Sequence, residues 1–140
     1  MDKQFPKVVV GCFIMNDQSE VLLVKSYKWP DKWVVMGGHI EWGETIADAV
    51  KREVTEELKL DVIFDRVIEV VEFVFDPSFH SKKHFIALQS VCHVVGNTAP
   101  TIDNDEIQES RWFQLDEAVK LDNILSITQQ TIKKIMNTND

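Results

Sequence analysis

The stretch from Thr45 to Leu58 carries two patterns at once, and few folds accommodate both. Ile46, Val50, Val54 and Leu58 recur at every fourth position and mark one buried stripe of a helix. Thr45 stands where a capping side chain sits, with Asp48 in the reciprocal position of a capping box. On the same helix Glu53, Glu56 and Glu57 fall at i, i+3 and i+4, within an arc of roughly 100° that borders the apolar stripe at Glu57. Like charges at these spacings repel by roughly 0.2–0.5 kcal/mol per pair. An acidic helix face is usually a solvated face, yet here no lysine alternates with the glutamates. Cations held between the carboxylates would turn the repulsion into binding. Hard oxygen donors suit Mg²⁺ or Mn²⁺, and Mg²⁺ shares its coordination sphere with phosphates and water.

The flanking segments say what the helix packs on. Val8 to Met15 is a continuous apolar run containing Gly11, the turn residues Asn16-Asp17-Gln18-Ser19 follow, and Val21 to Val24 resumes the pattern, so a hairpin is expected. Trp33 to Met36 reads as a short strand stopping at Gly37-Gly38, where the backbone is expected to turn tightly and approach a metal or phosphate. Beyond the helix, Val62 to Phe75 and His84 to Val95 read as strands, with a loop beginning at Asp76-Pro77-Ser78. Asn97 to Asp105 is turn-rich and Ser110 to Phe113 is a short strand. Asp116 to Asn137 is mostly helical, with a break at Leu121-Asp122-Asn123. Strands, a helix, more strands and a closing helix predict an α/β fold with a mixed sheet flanked by helices. No repeat or Pro/Gly-rich linker interrupts the chain, so residues 1–140 are read as one domain.

Composition narrows the function. The net charge of −8 disfavours binding to a nucleic acid polymer or an anionic membrane, and fits a site where divalent cations bridge acidic protein and phosphate. No apolar run reaches the roughly 18–20 residues of a membrane span. Met1-Asp2-Lys3-Gln4-Phe5-Pro6 lacks the basic start and apolar stretch of a secretory signal, so a cytoplasmic location is expected. Cys12 and Cys92 sit in strand-like runs without metal-ligand spacing and are expected to be buried free thiols. The absence of a GxxxxGK[ST] motif excludes a P-loop.

Gly38, then Glu44, then Arg52-Glu53-Val54-Thr55-Glu56-Glu57-Leu58-Lys59-Leu60 resembles the Nudix box, G-x5-E-x7-R-E-U-x-E-E-x-G-U with U a bulky aliphatic residue. Gly38 and every charged position are present. One position departs: Lys59 replaces the terminal glycine, where a left-handed residue is usual and a side chain costs about 1–2 kcal/mol. The resemblance implies an α/β/α sandwich and divalent-metal-dependent hydrolysis of nucleoside diphosphates linked to another moiety. It implies metal ligation by Glu53, Glu56 and Glu57 with the Gly38 carbonyl, and an Arg52 that pairs with a box glutamate, Glu44 first. For the proton acceptor it points to Glu56 within the box and to Glu106 outside it, with Glu109 second. Dimers are common in the family, so a homodimer is open.

Trp29, Trp42, Phe73, Phe75, Phe79 and Trp112 offer stacking surfaces for a nucleotide, although aromatic side chains more often serve the core. His80 and His84 flank Lys82-Lys83 in a loop able to meet phosphates. ADP-ribose, nucleoside triphosphates, nucleotide sugars and dinucleoside polyphosphates all remain open as substrates. A Nudix-like module that binds a nucleotide without cleaving it is the alternative; such modules commonly lose box carboxylates, which this chain keeps. An isoprenoid diphosphate isomerase would need an active-site cysteine, and Cys12 and Cys92 fit that poorly.

Overall fold

The computed structural model describes residues 4–102 and 105–138. Met1 to Lys3, and Asp103-Asn104 within the expected turn, lie outside the described residues. The apolar run near the N-terminus forms strand β1 (Lys7–Met15), and the return strand β2 (Glu20–Ser26) follows a turn organised by Asn16. The Asn16 side-chain oxygen accepts from the N–H groups of Gln18 and Glu20, at 3.0 and 2.9 Å. This is the local bond by which Asn favours turns. The hairpin splays at once, because β1 and β2 pair only at Met15 and Val21.

Into the splay runs the segment expected to stop at the double glycine. It breaks at Val35 into β3 (Trp33–Val34), which pairs with β2, and β4 (Met36–His39), which pairs antiparallel with β1. Strand β4 passes straight through Gly37 and Gly38, opposite Gly11 and Val10. The expected tight turn is therefore a strand, and the glycines answer to crowding. A Cβ on Gly37 would stand 2.2 Å from the Val10 carbonyl oxygen, and one on Gly38 2.3 Å from the Glu53 carboxyl.

Helix α1 (Ile46–Leu58) begins at Thr45, whose hydroxyl accepts from the Asp48 N–H at 3.1 Å. It ends at Lys59, which is left-handed at φ 58° and ψ 34°. Strand β5 (Asp61–Val74) returns antiparallel to β6 (His84–Val95), and β6 lies parallel to β1 along its whole length. Strand β7 (Ile107–Gln114) is longer than the expected Ser110–Phe113 because it pairs with all of β2, from Glu20–Gln114 to Ser26–Ile107. The C-terminal region gives α2 (Leu115–Ala118) and α3 (Ser126–Thr138), separated at the expected break. Trp33 N–H donates to the Asn123 carbonyl and Leu125 N–H to the Trp33 carbonyl, tying that break to β3.

The seven strands form one mixed sheet. A strand covered on both faces reads as a continuous apolar run, which explains β1. Val10, Cys12 and Ile14 join a core with Val50, Val54 and Leu58 of α1. Phe13 and Met15 join a second core with Leu115 and Ala118 of α2 and Ile132 and Ile135 of α3. Helices thus cover both faces, giving the expected α/β/α sandwich. Each fully buried Val or Leu contributes about 1.5–3 kcal/mol, so the α1 stripe anchors the helix against β1 and β4.

Candidate active site

Anchoring α1 by its apolar stripe fixes where its carboxylates stand. Glu53 is drawn toward β4, its side chain only 12% exposed, while Glu56 projects to solvent at 55%. The carboxyl group of Glu53 occupies the space a side chain on Gly38 would take. Close packing of helix on strand at Gly38 is thus what admits the acid. Burial raises the Glu53 carboxyl above its ordinary range, with the adjacent carboxylates of Glu56 and Glu57 adding to the rise against the pull of Arg52. Glu57 is raised as well, by burial first and then by the negative charge of Glu106.

Arg52 binds this cluster together. Its Nε and Nη2 donate to the two carboxylate oxygens of Glu44 at 2.6 and 2.9 Å, a bidentate pair. Nη1 donates to Glu53 at 2.9 Å and Glu56 at 3.3 Å, and Nη2 also reaches the His39 carbonyl at 3.0 Å. These hydrogen bonds to Arg52, with one from the Glu41 N–H, hold the Glu44 carboxyl at about 2. The loop from His39 to Glu44 is thereby pinned to the helix.

Glu106 lies at the start of the β7 region and meets Glu57 from across the sheet end, with its carboxylate paired to Lys28 Nζ. Glu109 sits further along β7, opposite Lys25, and lines no part of the cavity that Glu106 and Gly38 share. Of the six aromatic candidates, Trp29, Phe73 and Phe79 converge on that cavity. Trp42 is fully exposed, Phe75 is exposed with φ 57°, and Trp112 donates its indole N–H to the Thr98 carbonyl. Lys82 stacks on the Phe75 ring, away from the carboxylates' cavity.

Sequence reasoning missed Lys28, which sits in an unpatterned turn. It also missed Gln89, whose signal was present: a polar residue inside the apolar run Phe85 to Val95. Cys12 and Cys92 are buried free thiols, as expected, and burial holds the Cys92 thiol up at about 12.

The donor set is all oxygen, and Gly38 makes a cradle for one of the carboxylates, so the chemistry fits a hard divalent cation. Among the described residues no three acidic, His or Cys side chains close on one point as a cage. Instead the guanidinium of Arg52 stands among Glu44, Glu53 and Glu56.

The model of the NUDIX domain matches residues 5–134. The chain belongs to the NUDIX family. Human diphosphoinositol polyphosphate phosphohydrolase 3-alpha is 30% identical over 110 residues, 79% of this chain and 64% of that protein. The rat diphosphoinositol polyphosphate phosphohydrolase 2 is 27% identical over 79% of this chain and 58% of its own length. The NUDIX chain thus spans roughly three fifths of the curated relatives it matches. A MutT protein from Methanosarcina mazei Go1 superposes over 99% of both chains with a TM-score of 0.78 at 21% identity, which shows a shared fold. No described helix is long and apolar enough to cross a membrane.

Proposed function

We propose that this NUDIX protein is a hydrolase that cleaves the diphosphate linkage of a nucleoside diphosphate derivative with Mg²⁺ or Mn²⁺. The observation that carries the reading is the Arg52 hub: one cation holding Glu44 and Glu53 in place beside a backbone glycine that leaves room for the acid. Such an arrangement spends side-chain order on keeping repelling carboxylates together, which a structural helix has no need to do. The matched relatives being named phosphohydrolases supports the same reaction class.

Glu53, Glu56 and Glu57, with the Gly38 carbonyl, would hold the cation. When bound, it would supply charge neutralisation of the bridging phosphates and a more acidic attacking water. Arg52 and Glu44 orient the carboxylates and fix the loop that carries Gly38's neighbours. Glu56, exposed to solvent, and Glu106, which lines the cavity, are the two groups set to accept the proton from water. Glu106 is already steered by Lys28, which would also meet substrate phosphate. Buried free thiols and the acidic surface accord with a single cytoplasmic domain acting on a small molecule, alone or as a homodimer.

The test is a panel of ADP-ribose, nucleoside triphosphates, nucleotide sugars, dinucleoside polyphosphates and a diphosphoinositol polyphosphate, with Mg²⁺ and products identified by mass. Cleavage of a nucleotide compound at a phosphoric anhydride is the expected result. Nucleotide binding with no turnover across the panel would replace the hydrolase with a sensor.

A further inference from the structure

A cavity of about 150 Å³ opens beside the carboxylates, between β4, the turn after β2 and the loop joining β5 to β6. Its walls are aromatic: the ring of Trp29 lies 4.7 Å from Phe79 and 5.4 Å from Phe73, and Phe79 lies 5.1 Å from Phe85. The turn and the loop are fastened to each other where the His80 N–H donates to the Lys28 carbonyl at 2.8 Å. An apolar cavity of roughly this volume accepts a benzene-sized ring, and because this one opens to solvent a fused base can extend from it. A ring bearing many phosphates would instead need many cations. Lys28 is the one Lys or Arg lining this cavity among the described residues, and it is paired with Glu106.

Among the described residues, three buried polar side chains line the cavity as well, Ser26, Thr128 and Gln89. Gln89 is 3% exposed and lines the cavity from β6. Its neighbour across the ladder is Gly11, where a Cβ would stand 2.1 Å from Gln89 Oε1. The missing side chain on β1 is what makes room for that oxygen. Gln89 Nε2 donates to Thr131 Oγ1 at 3.4 Å, which turns the carbonyl away from α3, and no donor among the described residues reaches Oε1. With its amide nitrogen engaged, the oxygen is the atom left for a donor inside the cavity.

We propose that the cavity bordered by the packed rings of Trp29, Phe73, Phe79 and Phe85 holds the nucleobase of the substrate against this aromatic wall, and that Gln89 Oε1 accepts a hydrogen bond from an exocyclic amino group. The cavity therefore favours adenine over hypoxanthine and cytosine over uracil. This rests on the hydrolase reading only for what happens to the attached diphosphate.

Calorimetric binding of nucleoside monophosphates to the whole chain, without metal, tests the base site apart from hydrolysis. AMP should bind about tenfold more tightly than IMP, and CMP about tenfold more tightly than UMP. Phe79→Ala should weaken AMP about tenfold, because stacking on one ring is lost, and Gln89→Leu should erase the AMP–IMP difference. If Gln89→Leu fails to fold, the wild-type base pairs and Phe79→Ala, at a half-buried position, still decide. No detectable AMP binding, IMP bound as tightly as AMP by the wild type, or AMP affinity unchanged by Phe79→Ala, would each overturn the base site. Discrimination between bases with no diphosphate cleavage would keep the site and remove the hydrolase.

Discussion

Gly37 and Gly38 are neighbours in one strand, and a methyl group would have different consequences at the two. At Gly37 it meets the Val10 carbonyl, which belongs to the sheet and has nowhere to go. Gly37→Ala should therefore lose about 3 kcal/mol or more of stability, read by urea unfolding. At Gly38 it meets the end of the flexible Glu53 side chain. Gly38→Ala should keep its melting temperature within a few degrees while diphosphate cleavage falls by about a hundredfold or more. Comparable stability losses at both positions would contradict this division. Lys59 is a third case of backbone demand. Its left-handed conformation strains a side chain, although Lys59 Nζ recovers a bond to the Glu56 carbonyl at 2.7 Å. Lys59→Gly should raise the melting temperature by about 3 °C, and an unchanged or lower value would show that the lost bond outweighs the relieved strain. The left-handed turn at Lys59 was legible because it depends on a local motif. The neighbours of Gly37, Gly38 and Gly11 were not, because those contacts join strands and helix far apart in sequence.

Helix α1 shows how one element serves core and site together. Its apolar stripe was readable from period alone, and the observed helix starts and stops where the stripe and caps predicted. What period could not reveal is that Glu53 and Glu56, on one face, differ so much in exposure. That difference comes from β4 passing under one and not the other. The splayed β1–β2 hairpin is the cause, since it admits β4 beside β1, and a sequence that signals a hairpin does not signal how far its strands stay paired. The charge cluster on this element has a pH signature. Glu44, ordinarily near 4.5, is held at about 2 by hydrogen bonds from Arg52 and then by the Glu41 N–H. The folded value lies below the unfolded one, so the stabilisation is complete above about pH 4.5 and is lost as pH falls toward 2. Glu44→Gln removes this ionisation, so its stability should fall less steeply than the wild type's between pH 4.5 and 2. Equal slopes in acid unfolding would mean that the Arg52 pair contributes nothing to the fold.

Taken as a whole, the molecule places its acids and its aromatic cavity at one end of the sheet, joined through Gly38 and His39 of β4 and through Glu106. The acidic half of that arrangement was legible from a contiguous motif. The cavity was not, because Trp29, Phe73, Phe79 and Gln89 come from four separate segments that only the sheet order brings together. The net charge of −8 then becomes a functional constraint. A polyphosphate approaching this end meets carboxylates first, and only added divalent cations would make the encounter attractive. The most direct measurement is the rate of diphosphate cleavage as Mg²⁺ is titrated, for the wild type and Glu57→Gln, with circular dichroism confirming that both are folded. The account predicts saturable activation of the wild type from no activity in chelator, and a loss of about a hundredfold or more in the variant. Cleavage that persists in chelator, or a folded Glu57→Gln with near-normal turnover, would contradict it.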